Sequence, residues 1–266
     1  MSVLTEPACA WAPITPRGVA AFARASFERL FLIQAIFALG AALAVLWILS
    51  DGIFPTVDAA IAELPDAGAI HAGVLDWRDD SPVLLAEGKI LAFSVDLDHG
   101  GSLRSPADIQ FEFGRNSVRI FSLFGEAELD YPPGWVFAAN QTDLSPMWKA
   151  WRPDLLGLAA IGTFVGLMLV WGVLATIYLA PVWLTCFFTN RDLNFRGSWK
   201  LAGASLMPGA LLASLSLVGY DLRAFDLVQL GFAFGLHFVI GWIYLFVSPM
   251  FLNRVLALEK KNPFAS

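Results

Sequence analysis

The sequence predicts an α-helical membrane protein with four transmembrane helices and a small extracytoplasmic β-rich (α+β) domain. Three observations lead there. Apolar residues make up 57% of the chain and charged residues 15%, against about 45–50% and about 25% in soluble domains, and mean hydropathy is +0.64. Four stretches are long and apolar enough to cross about 30 Å of hydrocarbon as helices, which takes about 20 residues each. Between the first and second of them, residues 51–152 carry strand-like alternation and turn residues instead.

In chain order, residues 1–29 read as a cytoplasmic arm and residues 30–50, "LFLIQAIFALGAALAVLWILS", as an anchor helix. Its apolar core exceeds the roughly 7–15 residues of a cleaved signal, and no small-residue cleavage site follows, so an uncleaved signal anchor is expected. Cys9 lacks a preceding apolar region and is not expected to carry a lipid. Within 51–152, "PTVDAAIAELPDAG" reads as a short helix stopped by Pro65 and Gly68. Strand-like runs follow: "PVLLAE", "KILAFSVD", "ADIQFEF", "SVRIFSLF" and "EAELDY". Ile109, Phe111 and Phe113 alternate with Gln110 and Glu112, and "GRNS" (Gly114–Ser117) supplies a hairpin turn into the next strand. A mainly antiparallel unit is expected. "NQT" at Asn140–Thr142 is a glycosylation sequon on the outer side.

Residues 153–252 form a three-helix membrane block, and residues 253–266 a basic cytoplasmic tail. The run Leu155–Phe188 is too long for one perpendicular span and too short for two, so a kink or an emergence at Pro181 is expected. Pro208 is expected to break the third span, Leu201–Tyr220; the fourth is Leu227–Leu252. Trp148 and Trp151 suit the interface belt. Small residues recur four apart: Gly162 and Gly166, Ser205 and Gly209, Gly231 and Gly235. That spacing permits close helix packing within a bundle or between copies.

Lys and Arg near the span ends set orientation. With both termini cytoplasmic, the inner segments carry nine basic against four acidic residues. The outer ones then carry eight basic against nineteen acidic. An inner-membrane location with both termini cytoplasmic is expected, and nothing in the charge balance supports nucleic acid as a partner. The expected partners are the lipid bilayer and either a second copy or another envelope protein. Cys9 and Cys186 both fall on the inner side, so no disulfide framework is expected.

Candidate chemistry is sparse. In "DLDHGG", Asp96, Asp98 and Gly101 match the first, third and sixth positions of a calcium loop, but Gly100, Arg104 and Ala107 break the pattern where ligands are required. A turn, with glycines supplying positive φ, accounts for the segment better. Intramembrane polar residues are functional candidates by default, and here they are His237, Gln229 and Gln34. A serine–histidine pair for proteolysis would need Ser205 or Ser214 within reach of His237, and a transport path would need more polar groups. No catalytic, metal or cofactor set emerges. The reading is a non-enzymatic accessory, sensing or interaction protein, with a transporter or channel component and an intramembrane protease as the alternatives.

Three stretches, "LPDAGAIHAGVLDW" (Leu64–Trp77), "FSVDLDHGG" (Phe93–Gly101) and "FRGSWKLAGASLMPGALL" (Phe195–Leu212), resemble a bacterial integral membrane family of unknown function, the maltodextrin-utilisation-like group. Its C-terminal part is similar to Yip1-type helical bundles. Leu97 and His99 depart from the small or hydroxyl residues of that family's turn. The resemblance implies a membrane protein with an extracytoplasmic domain and no defined activity.

Overall fold

The computed structural model describes residues 12–254; Cys9, Lys260 and Lys261 lie outside them. Four helices are long and apolar enough to cross a membrane, spanning Phe27–Ala62, Gln141–Phe188, Phe195–Asp221 and Leu227–Phe251. The chain divides into two compact units, one of residues 12–43, 161–217 and 228–254, the other of residues 44–160 and 218–227.

The first unit is helical. Thr15 caps helix α1 (Pro16–Ala21), its Oγ1 accepting from Gly18 N at 3.1 Å. With the 3₁₀ turn Phe22–Arg24, α1 buries Val19 and Phe22 against Leu30, Val182, Leu201 and Leu245. The residues of the expected cytoplasmic arm are thus folded onto the bundle from Pro16 onward. Helix α2 (Phe27–Trp47) bears an apolar, largely lipid-compatible surface. Helix α4 (Gln141–Phe188) runs unbroken for 48 residues, about 72 Å at 1.5 Å per residue. The helical run continues through Pro181. Proline removes one backbone hydrogen bond, the one the Ile177 carbonyl would accept, and need not end an apolar helix. The third span does break near Pro208, into α5 (Phe195–Ser205) and α6 (Met207–Asp221), because proline is favoured in a first helical turn. Helix α7 (Leu227–Val247) follows, with a 3₁₀ turn at Ser248–Phe251.

The second unit holds the strands. A π-helical turn, Ile48–Ile53, joins α2 to α3 (Phe54–Ala62), so the anchor and the short helix form one uninterrupted helical stretch of sequence. Five strands form one sheet in sequence order: β3 (Val83–Glu87), β4 (Leu91–Val95), β5 (Ile109–Phe113), β6 (Ser117–Ser122) and β7 (Gly125–Asp130). Hairpin β5–β6 turns at Gly114–Ser117, with Gly114 N donating to Ser117 O at 2.9 Å. One pair departs from the antiparallel expectation. Strands β4 and β5 are parallel, which requires a crossover of about a dozen residues, and residues 96–108 supply it. A second sheet, β2 (Val74–Asp76), β1 (Ala69–His71) and β8 (Val136–Ala138), was not anticipated. Residues 141–152, grouped with the β-rich domain by composition, are the opening turns of α4. Asn140 of the sequon is their cap: its Oδ1 accepts from Asp143 N at 2.9 Å, and its amide donates to Gly68 O at 3.3 Å and to Asp143 Oδ2 at 3.0 Å. At 9% exposure this side chain is spent on helix initiation.

Candidate apolar cavity and the polar brace beside it

The two faces of the five-stranded sheet are built differently. On one, Phe93, Val95 and Phe113 turn toward α3 and the small sheet, where Ile70, Leu75, Leu85 and Ala139 form a core. That core is not filled. A half-open pocket of about 200 Å³ remains, and its lining is wholly apolar, from Val57, Ala60 and Leu64 of α3 and its end to Phe93 and Phe137 on the strands. Phe137, 41% exposed, forms part of its outer boundary. A water needs two to four polar partners, and an apolar cavity of about 150 Å³ stays dry and accepts benzene. This space therefore suits an apolar guest.

Beside the cavity, α3 and α4 are tied by Asp58, whose carboxylate accepts from Trp148 Nε1 at 2.7 Å and from Arg152 Nη1 at 2.8 Å. Phe54 meets the Trp148 ring edge-on at a centroid distance of 5.0 Å.

The opposite face carries the residues that alternate with the apolar ones. Gln110 and Glu112 are 2% and 0% exposed, more buried than Ile109, Phe111 and Phe113. The crossover covers them. Gln110 Nε2 donates to Ser94 Oγ at 2.9 Å and to Leu103 O at 3.1 Å, while its Oε1 accepts from Ser105 N at 3.0 Å. Glu112 Oε1 lies 2.8 Å from His99 Nδ1, and its Oε2 accepts from Arg104 Nη1 at 3.4 Å. His99 Nε2 lies 3.0 Å from Ser117 Oγ, which donates to Glu128 Oε1 at 2.7 Å; Arg119 Nε reaches Glu128 Oε2 at 3.1 Å. The Ser117 hydroxyl, then Arg119, hold the Glu128 carboxyl below its ordinary value. His99 sits at φ 50° and Gly101 at φ 69°, so the "DLDHGG" segment does turn. It turns to drive His99 into the sheet, where the ring occupies the space a Cβ on residue 114 would need.

Serine, histidine and glutamate thus stand in the order of a hydrolytic triad, but Ser117 is 4% exposed and its hydroxyl is committed to a second carboxylate. Nucleophilic attack needs a free, approachable oxygen. The network is a brace that holds the crossover on the sheet. Sequence reasoning missed it because its members lie on three strands and a loop. The one signal was Glu112, a carboxylate alternating with aromatics. Among the described residues, no group of three or more His, Cys, Asp or Glu has a metal-holding arrangement.

The intramembrane candidates stay apart. Gln34 is buried on α2 and its Nε2 donates to Gly203 O at 3.3 Å. His237 turns its Nδ1 back to the Phe234 carbonyl on its own helix. Gln229 is exposed two turns earlier on α7, about 12 Å away along the axis. Ser205 and Ser214 donate to Ala202 O and Ala210 O of their own helices, at 2.7 and 2.9 Å, so neither pairs with His237. Of the small-residue faces, Ser205 is buried and Gly209 lies so close to the His237 carbonyl that a Cβ would collide with it. A Cβ on Gly162, Gly166, Gly231 or Gly235 would meet nothing within 4 Å.

Fold and site together define a helical protein with four membrane-length apolar helices and a small β-rich domain containing an apolar cavity. No protein-family model, no curated protein and no solved structure matches the chain.

Proposed function

We propose that this chain is a multi-pass protein of the bacterial inner membrane, with both termini cytoplasmic, whose β-rich domain lies outside and receives the apolar portion of a ligand. It acts as a non-enzymatic accessory or sensing protein. The cavity carries the reading: about 200 Å³, lined by apolar side chains alone, a space water does not satisfy. The excess of Arg and Lys on the inner segments supports the orientation. A ligand class with an alkyl chain follows, since the lining offers contact area and no polar group to fix a headgroup.

The test uses the full-length protein purified in a short-chain-free detergent. Its thermal transition is followed with added fatty acids of graded length, and bound lipid is extracted and identified by mass spectrometry. Wild type is expected to be stabilised by about 2.7 kcal/mol at a ligand concentration a hundredfold above Kd. A60L, which places a larger side chain in the cavity, should keep its circular dichroism and lose that response. No response from wild type to any chain length, or an equal response from A60L, overturns the reading.

A further inference from the structure

We infer that the turn between β6 and β7 is a lipid-contacting tip, which seats the β-rich domain on the outer leaflet of the membrane that its helices cross. The inference rests on the membrane orientation proposed above.

Strands β6 and β7 are joined by two residues, Leu123 and Phe124. Two-residue hairpin turns ordinarily hold Asn, Asp or Gly. Here the pair is apolar and projects into the surroundings: Leu123 is 59% exposed and Phe124 95%. The turn is not a loose loop. Ser122 Oγ accepts from Phe124 N at 3.3 Å and donates to Gly125 O at 3.3 Å, and Gly125 takes φ 113°. A fixed backbone therefore presents two bulky side chains, Leu123 more than half exposed and Phe124 almost wholly so.

Strand register says which end of the domain they occupy. Ser122 pairs with Ile109, and Ile109 pairs with Leu91, so the tip lies at the edge where β4 and β5 begin. That same edge meets the ends of the apolar helices. Lys89, just before β4, donates through Nζ to Phe225 O at 2.9 Å and also to Tyr220 O. Asp108, just before β5, accepts from the Tyr220 hydroxyl. Tyr220 is in the last turn of α6, and Phe225 lies in the connection to α7. Nearby, Trp47 Nε1 donates to Asp221 Oδ2 at 2.7 Å, an amphipathic ring at the depth where such rings concentrate. Strands are about 4.8 Å apart, so the tip stands about 5–10 Å to the side of the Asp108–Tyr220 contact. At that level, lateral to the helix ends, the surroundings are headgroups and the first methylenes of lipid. The adjoining edge strand carries Glu126, Glu128 and Asp130, which disfavours attraction to anionic headgroups. Contact is by apolar insertion.

The experiment places single cysteines in a Cys9→Ser/Cys186→Ala background, labels them with an environment-sensitive nitrobenzoxadiazole dye, and reconstitutes the full chain at one copy per phosphatidylcholine nanodisc. F124C should emit to the blue of D98C, an exposed position at the opposite end of the sheet, and should be quenched at least threefold more strongly by nitroxide-bearing lipid. Emission and quenching equal to D98C overturn the inference. A blue shift seen only at two or more copies per disc also overturns it, and assigns the tip to a second chain. L169C, on an exposed face of α4, serves as the internal reference. If deep nitroxides fail to quench it, the membrane reading itself falls; if they quench it while headgroup-level nitroxides leave F124C unquenched, the tip alone is refuted.

Discussion

Replacing Glu112 with alanine tests the brace directly. The carboxylate is fully buried, facing a His99 ring that is 11% exposed at 2.8 Å and an Arg104 guanidinium that is about half exposed at 3.4 Å. A hydrogen bond to a charged group contributes about 1.5–3 kcal/mol. The half-exposed Arg104 pair is discounted to at most about 1 kcal/mol. Truncation also leaves His99 Nδ1 without its partner inside the fold. About 3 kcal/mol is therefore expected, and it should appear locally, in the crossover and the strands it covers. Hydrogen exchange of the full-length protein reads this as a rise of about a hundredfold in the exchange rates of β5 and β6 amides. Peptides from α5 to α7 should not change. In E112A/H99A the second substitution removes the orphan, so the double variant should lose less than the sum of the singles. A rise below threefold in β5 and β6, or equal acceleration throughout the chain, would show that the crossover is held by something other than this network.

Three further outcomes follow from the same geometry. The Glu128 carboxyl is held low by Ser117 and Arg119, so its contribution is complete above the ordinary glutamate range of about 4.3 and lost as pH falls toward the lowered folded value; protection of β6–β7 amides should therefore drop in acid, and E128Q should remove that pH dependence. D58N, which weakens the bonds to Trp148 and Arg152 between partly exposed side chains, should cost about 1 kcal/mol in the thermal transition while leaving the α5–α7 exchange pattern unaltered. G209L drives a side chain against the His237 carbonyl and should destabilise the helical unit by about 1–3 kcal/mol, measured as earlier loss of folded protein on heating in detergent; the same substitution at Gly231, where the space is open, should be tolerated in one copy of the chain.

The helices were legible because a membrane span is a length and a composition, both local. Strands β3 to β7 were legible for a related reason: each is five or six residues with period-two alternation or a continuous apolar run. The three-residue strands β1, β2 and β8 carry no such pattern, and they exist only because tertiary contacts hold them together. Direction also escaped the sequence. Nothing in "FSVD" or "DIQF" states that β4 and β5 run parallel, since that depends on where the crossover lies. The alternation in β5 was read correctly, but which face is better buried was not visible. Gln110 and Glu112 are sealed by a loop whose contacting residues lie five to thirteen positions away in the chain, and local hydropathy does not state that fact. Asn140 illustrates a signal present but outweighed. "NQTD" reads as a sequon, yet Asn followed three residues later by Asp is also a helix-start pattern, and the hydrogen bonds follow the second reading.

The two faces of the sheet bear on each other energetically. Were it sealed and dry, a cavity of about 200 Å³ would cost about 5 kcal/mol at about 24 cal/mol per Å³. A domain of this size has only about 5–15 kcal/mol in all. A crossover pinned by buried charge on one face allows the other to remain under-filled without loss of the fold. Two of the lining residues, Ala60 and Ala139, are small, so one larger side chain would remove much of the deficit. A60L adds three carbons, about 2 kcal/mol at about 0.8 kcal/mol per buried methylene. It should therefore raise the transition of the ligand-free protein whatever the cavity is for. The informative quantity is the difference between the variants after an alkyl ligand is added. If the space is a packing fault, A60L gains stability and gives up nothing; if it is a binding site, the gain comes with the loss of ligand-dependent stabilisation, and saturated wild type overtakes the variant.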